Sequence, residues 1–115
     1  MATSTIPNNN KTATFQLTIN GGGATGTATV VVCGRVATLG AIIHPTITGT
    51  NLILAGFPSG YDQYKPLNSQ WLSCDGYASS GGHRAEAYMS SDGNLIVSTP
   101  SKEDWKISGT WITAG

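Results

Sequence analysis

The 115 residues carry six basic and six acidic side chains, a formal net charge of zero. No cluster of Lys and Arg is present to neutralise phosphates, which excludes nucleic acid and anionic membrane surfaces as partners. Fifteen Gly, fifteen Thr and eleven Ser against only twelve charged residues point to strands and tight turns rather than solvated helices. The apolar fraction of 39% is too high for a disordered chain. A chain of this length buries roughly 65% of its unfolded surface, enough for one core.

Residues 1–11 read as an extended polar arm, with Thr, Ser, Pro7 and three asparagines. The arm has neither the basic start nor the apolar run of a secretory signal. The longest apolar run, Val30 to Cys33, falls far short of the roughly 20 residues that cross a bilayer. From Thr12 the pattern alternates, with Phe15, Leu17 and Ile19 on one face of a half-buried strand. Asn20 and three glycines then signal a turn. Over 25–32, Thr25, Thr27, Thr29 and Val31 alternate with Gly26, Ala28, Val30 and Val32. Gly34 marks a bulge or tight hairpin, after which Val36 and Leu39 continue the extended segment.

"TITGTNLIL" gives two short strands around Gly49, and the loop "GFPSGYDQYKP" (56–66) follows. "LNSQWLSCDGY" gives another strand, with Leu67, Trp71 and Tyr77 among its apolar residues, and "SSGG" (79–82) a turn. In "HRAEAYM", Ala85, Ala87 and Met89 share one face and Arg84, Glu86 and Tyr88 the other. Asp92-Gly93 between two alternating runs is the strongest hairpin signal in the chain. "WKISGTWIT" closes the series with Trp105, Ile107 and Trp111. No window shows helical spacing. Seven to nine short strands predict an all-β, compact antiparallel sandwich or barrel over 12–115, preceded by the arm.

The chemistry-bearing residues form no recognised constellation. His44, His83, Cys33 and Cys74 could supply four zinc ligands, yet none are close in sequence and no paired-ligand spacing exists. Neither a metal nor a cofactor is therefore expected, and Cys33 is read as a small buried hydrophobe. The pairing of Cys33 with Cys74 stays open. No nucleophile elbow or phosphate-cradling loop is present, because "NGGGATG" runs into a strand and not a helix. Glu86 and Asp92 share one hairpin, and nothing places an acid, base and nucleophile together. The chain is expected not to be an enzyme.

The aromatics remain. Trp71, Trp105 and Trp111 are expected in the core. Tyr61 and Tyr64, with Asp62 and Lys65, sit in the proline-bracketed loop, where a Tyr serves either as a plug or as a flat platform for a sugar ring. Arg84 and Tyr88 lie on an outward, solvated or intersubunit face. The candidate ligand or interface contacts are thus Tyr61, Asp62, Tyr64, Lys65, Trp71, Arg84 and Tyr88.

Four segments in order, "GRVATL" (34–39), "GFPSGYDQYKP" (56–66), "SDGNLIV" (91–97) and "ISGTWIT" (107–113), resemble the receptor-binding head domains of bacteriophage tail fibres and baseplate proteins. The resemblance runs over residues 12–113. It implies a homotrimeric virion protein, made in the host cytoplasm and released by lysis, that binds bacterial surface saccharide. It also implies that the proline-rich loop is a signature turn of the fold. The arm is then expected to be either a segment that docks on other virion proteins or a linker from a preceding fibre. Alternatives are a monomeric carbohydrate-binding module, with Trp71 and the loop tyrosines as sugar platforms, and a capsid decoration protein without a receptor.

Overall fold

The computed structural model describes residues 12–76 and 84–114. The arm of residues 1–11, Tyr77, the turn at 79–82 and His83 lie outside the described residues. Nine antiparallel strands run in chain order: β1 (Thr12–Gln16), β2 (Thr18–Ile19), β3 (Ala24–Cys33), β4 (Val36–Pro45), β5 (Gly49–Gly56), β6 (Gln70–Gly76), β7 (Glu86–Met89), β8 (Asn94–Thr99) and β9 (Trp105–Ile112). One 3-10 turn, Asp62–Tyr64, interrupts the loop after β5. The expected all-β antiparallel architecture is the one observed.

Laterally the strands lie in the order β1-β3-β4-β9-β6-β7-β8-β5-β2. The two edge strands are consecutive in sequence, so the sheet nearly closes on itself. Two strands turn the corners. The first alternating segment pairs with β3 through Thr12–Gln16, and with β5 through Thr18 and Ile19. At the crossing, the Leu17 amide donates to the Ala28 carbonyl. β6 does the same on the other side, pairing with β7 through Gln70–Leu72 and with β9 through Ser73–Gly76. The result is a flattened barrel of two faces: a first sheet β1-β3-β4-β9 and a second sheet β7-β8-β5, joined through β6 and β2. Corner strands that switch sheets are how two orthogonal or aligned layers share one core without open edges.

Local sequence explains the hairpins. Gly34 has a φ of 63° and Arg35 stays at negative φ, the pattern of a II′ turn with Gly first, which matches the strand twist between β3 and β4. The 90–94 hairpin is a three-residue loop: Gly93 (φ 86°) donates to the Ser90 carbonyl, and the Ser90 amide to the Asn94 carbonyl. Asn20 organises the Gly21–Gly23 turn, accepting from the Gly22 amide on Oδ1 and donating from Nδ2 to the Ile53 carbonyl.

The inner face interleaves small and large side chains. Ala37 faces Trp111 across the β4–β9 ladder, and Ala41 faces Ile107, so an indole and a branched side chain fill space that the alanines leave. Val30, Leu39, Ile43, Leu95, Val97 and Trp105 are fully buried around them. Trp105 and Trp111 are core residues as expected.

Three local expectations change. β4 runs on to Pro45 and does not stop near Leu39. "TITGTNLIL" holds one strand and not two, with β-bulges between Gly49 and Leu52 and between Ile53 and Ala55, and Asn51 at φ 55°. Cys33 is exposed on the outer face of β3, because its parity is that of Val31 and the threonines; Cys74 is the buried cysteine.

Candidate ligand-binding face

Trp71 stands outside the core, 64% exposed. The reason is parity. On β6 the inward positions are Leu72 and Cys74, so Trp71 shares the outward face with Ser73 and Asp75. Its ladder partner on β7 is Tyr88, whose neighbours Ala87 and Met89 point in and are fully buried. The two rings meet edge to face, centroids 5.3 Å apart and planes at 63°. This is a favourable arrangement of ring quadrupoles.

The same register continues across the sheet. Tyr88 pairs with Ile96 on β8, and Ile96 with Ile53 on β5. Trp71, Tyr88, Ile96 and Ile53 therefore form one transverse row over four strands, and Ile53 at its far end is 49% exposed. A notch of about 140 Å³ opens between Trp71, Tyr88 and Ser69. Hydrogen-bonding groups flank the row. Ser69 Oγ accepts from the Ser91 amide at 3.2 Å, and Gln70 Nε2 donates to the Trp71 carbonyl at 3.3 Å. In the next row Glu86 faces Ser98, whose Oγ accepts from the Asn51 amide at 3.1 Å. An apolar ridge bordered by hydroxyl, amide and carboxylate groups can stack on one face of a ligand while hydrogen-bonding its edges.

Arg84 lies on the same face as Tyr88 but about 13 Å away along the strand. Its Nε is 3.4 Å from Asp75 Oδ1, both side chains well exposed, so the pair contributes little to stability. Arg84 separates two clefts. One, of about 230 Å³, opens where β6 leaves β7 for β9; the other, of about 400 Å³, lies between the start of β5 and the end of β8.

Tyr61, Asp62, Tyr64 and Lys65 are elsewhere. Their loop folds over the end of the barrel where β1 begins. Tyr61 stacks on Phe15 at 4.3 Å and 25°, and Tyr64 on Phe15 at 5.7 Å and 25°. Phe57 packs against both Phe15 and Trp111. Lys65 Nζ sits 3.1 Å from Asp62 Oδ1, and its stem lies over Gly93, where an added Cβ would come within 2.6 Å of Lys65 Cε. The proline-bracketed loop is a lid on the core, with Tyr61 and Tyr64 half-buried in it.

The seven candidate contacts thus separate into a pair on the outer face of the second sheet where β6 joins it, an arginine at the far end of that face, and a lid at one pole. Sequence reasoning missed Ile53 and Ile96. Ile96 was legible by its parity opposite Leu95 and Val97, whereas the bulges in β5 obscure the parity of Ile53. Elsewhere, His44 Nδ1 lies 2.8 Å from Asp104 Oδ1 at the opposite pole. Among the described residues no three His, Cys, Asp or Glu side chains gather as metal ligands. Burial, and secondarily the neighbouring Asp75 charge, push the Cys74 thiol up to about 12.

No protein-family model and no curated protein matches this sequence. Solved structures do. The head domain of lactococcal phage bIL170, a phage receptor-binding domain, superposes with a TM-score of 0.68 at 17% identity, over 90% of this chain and 99% of that one. The C-terminal receptor-binding domain of avian reovirus fibre sigmaC gives a TM-score of 0.54 at 14% identity, over 90% of this chain and 78% of that one. The barrel described above, with its corner-turning strands, has the fold of these viral receptor-binding domains.

Proposed function

We propose that this chain is a non-enzymatic virion attachment domain that binds bacterial surface saccharide on the Trp71–Tyr88 face and works as a homotrimer. The observation that carries the reading is the exposed Trp71 indole, held edge to face against Tyr88 in an apolar row bordered by hydrogen-bonding groups. A side chain of that size left in water on a rigid sheet, with two side-chain torsions to immobilise, is well suited to stacking on a sugar ring. The fold shared with phage and viral receptor-binding domains supports the virion assignment. Residues 1–11 are the segment we assign to docking on other virion proteins.

The test is binding of fluorescently labelled protein to bacterial cell walls and extracted surface polysaccharide. Wild type should bind and Trp71→Ala should lose at least tenfold in affinity, about 1.4 kcal/mol. Equal binding by both proteins would remove the Trp71 face from the reading. A monomer in solution that still binds free glycans through Trp71 would favour the carbohydrate-binding module.

A further inference from the structure

The first sheet presents an outer surface unlike the Trp71 face. Lys106 is the one side chain of fixed charge that β1, β3, β4 and β9 direct outward; the rest are mainly threonine, serine, valine and isoleucine. Val31, Val36, Ile42 and Ile112 are each between 42% and 51% exposed on it. Val36 and Ile112 are ladder partners, and the Ile112 carbonyl accepts from the amide of Leu67, itself exposed, so the apolar patch extends past the edge of β9.

At the middle of β4, the central strand of this face, stands Gly40. A Cβ added there meets nothing within 4 Å, and its backbone has no positive φ. A glycine in mid-strand weakens the strand, and here neither strain nor crowding within the chain calls for one. Its absent side chain, opposite Thr29 and Ser108 in the ladders, leaves an open depression of about 400 Å³ bordered by Ile42 and Lys106. With no bulge in its ladders and no positive φ, a glycine at such a position leaves room for the close approach of another backbone or a ligand.

We infer that this outer face is where copies of the chain pack on one another, with Gly40 at the point of closest approach and Ile42 beside it as the apolar contact. The inference rests on the homotrimeric reading above for the number of copies and not for the surface. Two observations select a second copy over a different partner. The face carries almost no charge, so like faces meet without repulsion and without a complementary partner of opposite sign. Its size also fits. Ten-residue strands β3 and β4 are about 33 Å long, and four strands are about 19 Å wide, giving on the order of 600 Å² in projection. Three copies around an axis would share that area between two neighbours, and in total it is comparable to the ~800 Å² a chain buries in a stable interface.

The experiment is the native mass by light scattering of wild type, Gly40→Gln, Ile42→Lys and Ile53→Gln. Because position 40 is open and unstrained, Gly40→Gln should keep the circular dichroism spectrum and melting behaviour of the monomer fold. Wild type and Ile53→Gln should be oligomeric, and Gly40→Gln and Ile42→Lys should run near 11.9 kDa. An oligomer that survives both substitutions overturns the inference and moves the interface elsewhere. A wild-type monomer at high concentration also overturns it, leaving the face to a different partner. Saccharide binding, scored separately with Trp71→Ala, fails or succeeds independently, so loss of the attachment reading is distinguishable from loss of this one.

Discussion

Trp111 Nε1 donates a 2.8 Å hydrogen bond to the carbonyl of Tyr64. That bond ties the last strand to the lid loop and satisfies an indole buried to 3% exposure. It also couples two segments 47 positions apart, so the lid cannot lift without unpairing a core residue.

Trp111→Phe keeps a ring in the core but strands the Tyr64 carbonyl. The expected cost is about 1–2 kcal/mol in urea unfolding. Tyr61→Ala removes a ring stacked on Phe15 and half-buried, and should cost about 2 kcal/mol. Neither substitution should change saccharide affinity measured on the folded protein. A tenfold loss of binding in Tyr61→Ala, with the fold intact, would return the lid to the binding site.

Trp71→Ala should behave in the opposite way. An exposed side chain contributes little to folding, so stability should stay within about 0.5–1 kcal/mol of wild type while saccharide binding is lost. A cost above 3 kcal/mol would mean that the indole supports the core.

Two glycines of one ladder should respond with opposite signs. Gly26 sits at φ 131°, and a Cβ there would come within 2.2 Å of the Ile42 carbonyl oxygen, so Gly26→Ala should destabilise by about 2 kcal/mol or more. At Gly40 the site is open and the backbone ordinary. In the dissociated protein, Gly40→Ala should stabilise by about 0.5–1 kcal/mol, mainly by lowering unfolded-state entropy. Chemical denaturation at low protein concentration reads both.

Thiol chemistry separates the two cysteines. Cys33 is exposed and Cys74 buried, so a thiol reagent should label one site in the native protein and two in denaturant. The folded Cys74 thiol titrates near 12, above its ordinary value of 9.0. A raised acid favours the protonated form in the folded state, so its stabilisation is fully present below pH 9 and is lost as pH rises toward 12. The fall should reach up to ~4 kcal/mol and disappear in Cys74→Ala, measured by denaturation across that window.

Much of the fold was legible because period-two alternation is a short-range signal. Phe15, Leu17 and Ile19 were read correctly even though the chain changes sheets among them, since the crossing at Leu17 preserves parity. The crossing itself left no mark, because which sheet a strand joins is decided by partners far away in sequence. At β5 the bulges break parity, so Ile53 could not be assigned a face. Trp71 is different. Leu67, Trp71 and Tyr77 share one parity and argued for the core, whereas Leu72 and Cys74, of the opposite parity, are the residues that point in and leave Trp71 outward beside Ser73 and Asp75. The tyrosine loop was ambiguous for a physical reason: a ring that plugs a core and a ring that meets a ligand need the same residue type.

Thr12 pairs with Cys33, Cys33 with Val36, and Val36 with Ile112, so the first and last strands leave the barrel in one transverse row, about 14 Å apart. Both exits are at the lid pole. A segment joined directly at Thr12 or Ala114 therefore meets the barrel at that pole, and the opposite pole with His44, Arg84 and Asp104 lies at the other end. Joining the two exits by a short linker and reopening the chain at the Gly21–Gly23 turn would reverse this polarity, turning the far pole into the point of attachment without altering a single ladder.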